Sequence, residues 1–465
     1  LSVGGKSLKW TRASIVRLGL NLLASYQPKK AIELFARLLD GNLSQTKIVN
    51  NNLHSNLEIA ATLILSSKVL VVATDVEPDD QTYRELAKQS LQTIPEARVV
   101  FLIVSDKQKA KSLPTKSLQS TLPANVIVLD IADFVKMAQS KTTPIEFLVS
   151  IIFEQSDLTK ISPFVINNVT PKRIYYGRDR EEATLLTTLA SNSVALLGSR
   201  KIGKTSLLRN VKESLENAEF TPYFLDCQTV NDWLAFGEAA RRYWHLELPS
   251  KFEPHHLFDM VATLKKRSGK SIIFLLDEID QLLSWDMTHG KEQVSEPFFR
   301  ACRTISQNGE AQFVFSGERT IAEKLWDPHS PHWNFCKKLL LRQLEKQAAQ
   351  DLMVKPLLSL QIQIQTPDKF AEKIWEVTSG HPQIIQFLGD RLVGELNQRP
   401  ALNRNIVSPP DVDEIANSLD FQEQYLGTYW GQATDLEKLT SLLVVSGLNH
   451  PAKILEEFQE NKIEI

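Results

Sequence analysis

The stretch Gly198-Ser199-Arg200-Lys201-Ile202-Gly203-Lys204-Thr205 decides the reading of this chain. It meets the pattern G-x-x-x-x-G-K-[ST] at every defined position. Residues 193–197 (SVALL) are a short apolar run that reads as a buried strand, and residues 205–211 (TSLLRNV) open a helical pattern. Strand, glycine loop and helix N-terminus in that order make a cradle for anions. The glycines let the backbone curl around phosphate oxygens, and the helix end presents free N–H groups and a positive dipole. Lys204 is placed to reach the β- and γ-phosphates of a nucleotide, and Thr205 to offer its hydroxyl to Mg²⁺.

A second stretch supports the first. Residues 271–280 (SIIFLLDEID) form an apolar run that ends in Asp277-Glu278. An acidic strand end of this kind holds Mg²⁺ in phosphate-loop proteins. Asp277 suits that role, and Glu278 is placed to polarise an attacking water. The chain between the two stretches is long enough for one further strand and several helices.

The 465 residues predict about three domains. Hydrophobic content of 43% and charged content of 23% are those of a soluble globular protein. No apolar run reaches the roughly 18 residues of a membrane helix; residues 59–73 come nearest and are broken by Ser66-Ser67-Lys68. The first residue is Leu, so the natural start is expected to lie upstream, and no signal peptide is visible. Cys227, Cys302 and Cys336 are far apart without paired spacing, which points to a reducing, cytoplasmic setting. The net charge of −2 gives nucleic acid no support as a partner. The densest basic runs, 107–116 and 265–270, read as solvated surface. His329, His332 and Cys336 have a spacing that metal could use, but no fourth ligand is near, so they read as loop and helix.

Residues 1–165 are expected to form a separate α/β domain. Helical patterns at 12–24 and 28–40 precede strand-like runs at 69–74, 99–104 and 126–129, with helices at 81–93, 134–138 and 144–154. That alternation predicts a parallel sheet. Acids gather at its strand ends (Asp75, Glu77, Asp106, Asp130, Asp133), either as a Mg²⁺ site or as helix caps. Residues 160–174 read as a linker. Strands at 194–197, 223–225, 272–276, 313–315 and 339–341, joined by helices, predict a second parallel sheet covered on both faces, over residues 166–345. Amphipathic helices at 345–354, 368–378 and 382–395 make a third unit, 346–405. Residues 406–465 read as short helices, a winged-helix-like and incomplete unit.

Four landmarks together resemble the STAND class of P-loop NTPases, relatives of the AAA+ ATPases. They are residues 176–181 (YGRDRE), the two stretches above, and residues 378–383 (TSGHPQ). The resemblance covers roughly residues 170–430. It implies a phosphate-loop core with a helical lid, ATP or ADP with Mg²⁺ as cofactors, and contacts to nucleotide from Gly177 and Arg178 near adenine. It also implies contacts from the loop residues Gly198, Ser199, Arg200, Lys201, Ile202, Gly203, Lys204, Thr205 and Ser206, and from Pro382 of the lid. Arg319, after the strand at 313–315, falls near a sensor position that would touch the γ-phosphate. Arg300 and Arg303 are candidates to act on a neighbouring subunit.

For function, the resemblance implies a slow ATPase used as a switch. ADP holds a closed monomer, and exchange for ATP, prompted by an unknown ligand or protein, opens it into a homo-oligomer. A bacterial signalling or antiviral-defence role follows, with residues 1–165 as effector. The main alternative is an AAA+ ATPase of the origin-recognition, DNA-loading type, which shares the Gly-Arg and Asp-Glu landmarks and would bind DNA through a winged helix. A further alternative makes the N-terminal unit a metal-dependent nuclease using Asp75, Asp106 or Asp130. In a fourth, nucleotide is only structural. No Asn-Lys-x-Asp motif for guanine is present.

Overall fold

The computed structural model describes residues 12–49, 52–60, 64–107, 113–166, 174–216, 219–289, 296–318, 334–400, 403–447 and 450–460. Two five-stranded sheets organise it. The first runs β1 (Asn42–Val49), β2 (Asn52–Glu58), β3 (Lys68–Ala73), β4 (Val99–Val104), β5 (Asn125–Asp130), in spatial order β1-β2-β3-β4-β5. β3, β4 and β5 are parallel, as their apolar runs predict. β1 and β2 are not: they form a hairpin that adds antiparallel to β3. The first sheet is therefore mixed, which corrects the all-parallel expectation. Asn42–Val49 is an edge strand whose residues stay exposed or half-buried, so it carries no apolar run to read.

Of the strand-end acids of this unit, Asp130 and Asp133 act as caps. Asp130 Oδ1 accepts from Asp133 N (2.9 Å), and Asp133 Oδ2 accepts from Asp130 N (3.0 Å), a reciprocal capping box. Lys107 Nζ lies 2.6 Å from Asp133 Oδ2. Asp79 caps the helix Asp80–Thr93 in the same way. No group of three or more His, Cys, Asp or Glu side chains able to hold a metal occurs among the described residues.

The second sheet is wholly parallel. Its strands are β6 (Val194–Leu197), β7 (Phe220–Asp226), β8 (Ser271–Asp277), β9 (Ala311–Gly317) and β10 (Lys337–Leu340), in spatial order β10-β6-β9-β8-β7. β9 is buried at every position and β8 at all but the first, as a central strand covered on both faces requires. Helices Lys204–Glu216, Trp233–Trp244, His256–Ser268 and Pro297–Gln307 lie between the strands. The strands all point their carboxyl ends at one edge, and the loops at that edge form the candidate site.

Beyond β10 come the helices Lys346–Ser359, Pro367–Thr378 and Pro382–Gln398. Two short strands, β11 (Gln363–Ile364) and β12 (Ile406–Val407), pair in parallel across them. After Val407 the described residues hold helices and no strand, so a wing hairpin is not among them. No helix among the described residues is long and apolar enough to cross a membrane.

The apolar cores do not follow the units as read from sequence. The second sheet has its own clusters, one on each face. The lid residues Leu352, Phe370, Ile385 and Leu392 share a single cluster with Phe35, Phe101, Ile152 and Phe164 of the N-terminal unit. The lid is thus built on the N-terminal unit rather than standing alone.

Candidate functional site

The loop after β6 turns into the helix Lys204–Glu216, as its spacing predicts. Gly203 sits at φ +102°, which L side chains rarely adopt, and Lys201 holds a left-handed φ of 59°. These turns bring Lys204 back over its own loop. Its Nζ donates to Gly198 O (2.7 Å) and Ser199 O (3.1 Å) and lies 3.5 Å from Glu318 Oε1. The ammonium is thus held at the mouth of the cradle.

β8 supplies the acids. Thr205 Oγ1 donates to Asp277 Oδ2 at 2.5 Å. Asp277 is 1% exposed, and its other oxygen, Oδ1, has no hydrogen-bond partner. A buried carboxylate oxygen without a partner is costly unless something binds it. A hydroxyl and a half-satisfied carboxylate at the foot of a phosphate loop are a donor set for Mg²⁺, a hard cation that takes oxygen ligands. Thr205 and Asp277 would hold the ion, which would supply charge neutralisation of the phosphates when bound.

Glu278 follows with φ +52°, a strained conformation for a residue with a Cβ. Burial, then the neighbouring Asp277 and Asp226, push its carboxyl above the usual range. It lines the cavity, while Asp277 does not. A buried carboxylate thus stands beside an accessible one whose carboxyl is raised by its surroundings.

The cavity over the loop has a volume of about 330 Å³. Arg200, Lys201, Gly203, Lys204, Thr205 and Ser206 form its floor; Gln228, Glu278 and Glu318 stand on the sheet side. The lid closes it with Pro382, Gln383 and Gln386, and Ile166 joins them from the N-terminal side. An adjoining cavity of about 370 Å³ shares Arg200, Lys204, Gln228, Glu278 and Glu318.

Gly177 and Arg178 stand behind this cavity rather than in its lining. Arg178 is 3% exposed. It donates to Ile202 O (3.1 Å) and Arg342 O (2.7 Å) and pairs with Glu181 (2.9 Å). It thereby ties the phosphate loop to the segment after β10. Gly177 packs on Ala348 of the lid. Ile202 is buried under the loop, and Gly198 lies against Leu341 O, so both shape the cradle from behind. Arg300 and Arg303 lie on the helix Pro297–Gln307, outside the lining. Arg319, His329 and His332 lie outside the described residues. Cys336 is buried, and burial pushes its thiol up.

Several residues around the site have no role assigned from sequence, although His381 and Gln383 belong to the 378–383 landmark. Ser316, fully buried near the end of β9 beside β8, has an unpartnered hydroxyl. Gln228, Glu318, Gln383 and Gln386 reach the cavity from separate loops and helices. His381, beside Pro382, is 7% exposed; burial, then Arg178, lower its pKa to about 4. Its Nε2 lies 3.3 Å from Tyr429 Oη.

Residues 189–325 match the family described as AAA domain. This chain carries an AAA-type P-loop NTPase domain. The AAA domain match spans β6 to β9 and so holds the loop, Asp277, Glu278 and Ser316. Among solved structures, the chain is similar to the Walker-type ATPase paby2304 of Pyrococcus abyssi. That likeness has 15% identity and a TM-score of 0.44, over 64% of this chain and 92% of that one. It is similar to the Aeropyrum pernix ORC2 protein in its ADP form, at 15% identity and a TM-score of 0.40, over 55% of this chain and 71% of that one. It is also similar to the Aeropyrum pernix ORC1 protein in complex with DNA, at 15% identity and a TM-score of 0.39, over 63% and 80%. No curated protein matches the sequence significantly.

Proposed function

We propose that this chain binds ATP and ADP with Mg²⁺ at the AAA domain, hydrolyses ATP slowly, and uses the nucleotide state as a conformational switch. The observation that carries this reading is Asp277: fully buried, bonded to Thr205 through one oxygen and unpartnered at the other, directly beneath the loop that holds Lys204. Such a carboxylate makes physical sense as a ligand-binding group. Arg200, Lys201 and Lys204 bring positive charge to the polyphosphate. Glu278, raised in basicity by its surroundings, is the candidate to take a proton from the attacking water. The lid residue Pro382 covers the cavity, and Arg178 links the loop to the lid hinge, so occupancy can be felt beyond the cradle.

Two outputs follow from the sequence. In the signalling reading, ATP opens the chain into a homo-oligomer; the motif resemblance is its support. In the second reading the chain is a DNA-loading ATPase, and its support is the order of Gly177-Arg178, phosphate loop and Asp277-Glu278, which serves both. The test of the common reading is ATP affinity by titration calorimetry. Lys204→Ala is expected to weaken it at least tenfold with the fold intact by circular dichroism; unchanged affinity overturns the assignment. A salt-dependent affinity of the native chain for duplex DNA selects the second output, and ATP-dependent assembly without it selects the first.

A further inference from the structure

The nucleotide cavity and the N-terminal unit meet along one strap. Residues 162–166 leave that unit and run along the lid helix Pro382–Gln398. Ser162 Oγ donates to Asp390 Oδ1 (3.1 Å), Val165 N donates to Gln386 Oε1 (3.0 Å), and Gln383 Nε2 donates to Ile166 O (2.6 Å). Ile166, Gln383 and Gln386 also line the cavity above Lys204. At Gly389, in the middle of the same helix, an added Cβ would lie 2.4 Å from the Phe164 ring. The strap is therefore seated without a gap.

Further along, Arg404 staples the same two bodies. It is 3% exposed and donates to Phe153 O (3.2 Å), Glu154 O (3.2 Å) and Ser156 O (2.6 Å), around the last turn of the helix Pro144–Gln155. Those carbonyls have no partner within their own helix. Arg404 also donates to Asn397 Oδ1 (2.6 Å), and Asn397 Nδ2 donates to Asp157 Oδ1 (3.0 Å). Leu158 N completes the seam by donating to Asn397 Oδ1 (2.9 Å). The shared apolar cluster lies under these bonds, while the AAA sheet keeps clusters of its own.

We infer that the N-terminal unit and the lid are one mechanical body, and that nucleotide moves this body as a whole against the AAA sheet. Gln383 and Gln386 are the positioning residues: bonded to Ile166 and Val165, they hold the strap in the wall that a nucleotide would touch. The inference rests on the nucleotide reading above. Separating the N-terminal unit from the lid would expose a continuous core and strip a buried guanidinium of its carbonyls. Turning the joined body on the AAA sheet breaks neither. A ligand that contacts both Lys204 and the Ile166–Gln383–Gln386 wall favours one orientation of the pair, which is what a population shift requires.

The test is a pair of distance measurements on the full chain. Lys88, Lys369 and Lys266 are exposed positions on the N-terminal unit, the lid and the AAA domain. Cys227, Cys302 and Cys336 are buried, so cysteines introduced at those sites can be labelled selectively. Spin labels on K88C/K369C and on K88C/K266C are compared without nucleotide, with ADP and with a non-hydrolysable ATP analogue, binding being measured on the same samples. The first distance is expected to stay fixed and the second to shift with nucleotide. Bound nucleotide with both distances fixed, or with the first one shifting, overturns the inference alone. Failure to bind nucleotide overturns the reading beneath it as well. In N397A/R404A, the first distance distribution is expected to broaden; an unchanged distribution removes the staple from the argument.

Discussion

Thr205 Oγ1 and Asp277 Oδ2 stand 2.5 Å apart, joining the first turn of the phosphate-loop helix to the end of the inner strand β8. The pair explains why Asp277 tolerates full burial on one oxygen, and the unpartnered Oδ1 shows what the pair lacks. The relationship leads directly to a prediction about Mg²⁺. Asp277→Asn is expected to abolish the Mg²⁺-dependent part of ATP affinity while leaving a weaker metal-free affinity in place. Without ligand the variant should melt no lower than the native chain, because a buried, half-satisfied charge has been removed. Calorimetric titration with and without Mg²⁺ and a thermal melt check both halves; a lower melting temperature would show Asp277 to be a structural charge.

Glu278 makes a prediction about pH. Burial, Asp277 and Asp226 raise its carboxyl pKa, so the group stays protonated to higher pH than an ordinary glutamate. A general base works only when ionised. ATP turnover at saturating nucleotide should therefore fall as pH drops through this raised pKa, and recover above it. Glu278→Gln should lower turnover by about a hundredfold or more, retain ATP binding and lose the acidic limb. If the pH profiles of kcat for the Glu278→Gln variant and the native chain run parallel, the base lies elsewhere.

His381 makes a prediction about stability. Its folded-state pKa of about 4 lies below the value of 6.5 for a free imidazole, chiefly through burial and then through Arg178. Between those two values the unfolded chain binds a proton that the folded chain does not. Stability from this group is complete above about pH 6.5 and is lost as pH falls towards 4, by about 3 kcal/mol in all. Chemical denaturation at pH 7.5 and pH 5 should show the loss, and His381→Gln should reduce it. Equal slopes in both proteins would place the acid sensitivity in other groups.

The strap makes a prediction about packing. Gly389→Ala pushes a methyl into the Phe164 ring, with contacts of 2.4 to 2.6 Å to three ring atoms. Overpacking of this sort costs roughly 1–3 kcal/mol. The cost should fall by at least half in Gly389→Ala/Phe164→Leu, where room has been made. Equilibrium unfolding measures it, and a native-like Gly389→Ala would mean that the strap yields freely.

Local patterns made much of the site legible. The phosphate loop needs its glycines, lysine and threonine within eight consecutive residues, from Gly198 to Thr205, so its chemistry is written contiguously. The strands β6 and β8 are buried on both faces and therefore appear as apolar runs, while β9 shows only the shorter run 313–315. The hairpin β1–β2 has no such run, since its outer strand faces water. Gly177-Arg178 was legible as a landmark, yet its burial against Ile202, Arg342 and Ala348 could not be read from spacing.

Sequence by itself determined that this chain has a phosphate-binding loop, an acidic strand end to face it, two α/β units and a helical segment after them. Only the tertiary structure decided which units belong together. Val165 and Gln386 are 221 residues apart, and Arg404 and Phe153 are 251 apart. A hydrogen bond or a shared core across such distances leaves no periodicity in either partner, because each residue satisfies its local element equally well without the other. The joining of lid to N-terminal unit, and the place of Ile166 in the wall of the cavity over the loop, exist only where the folded chain brings those distant surfaces into contact.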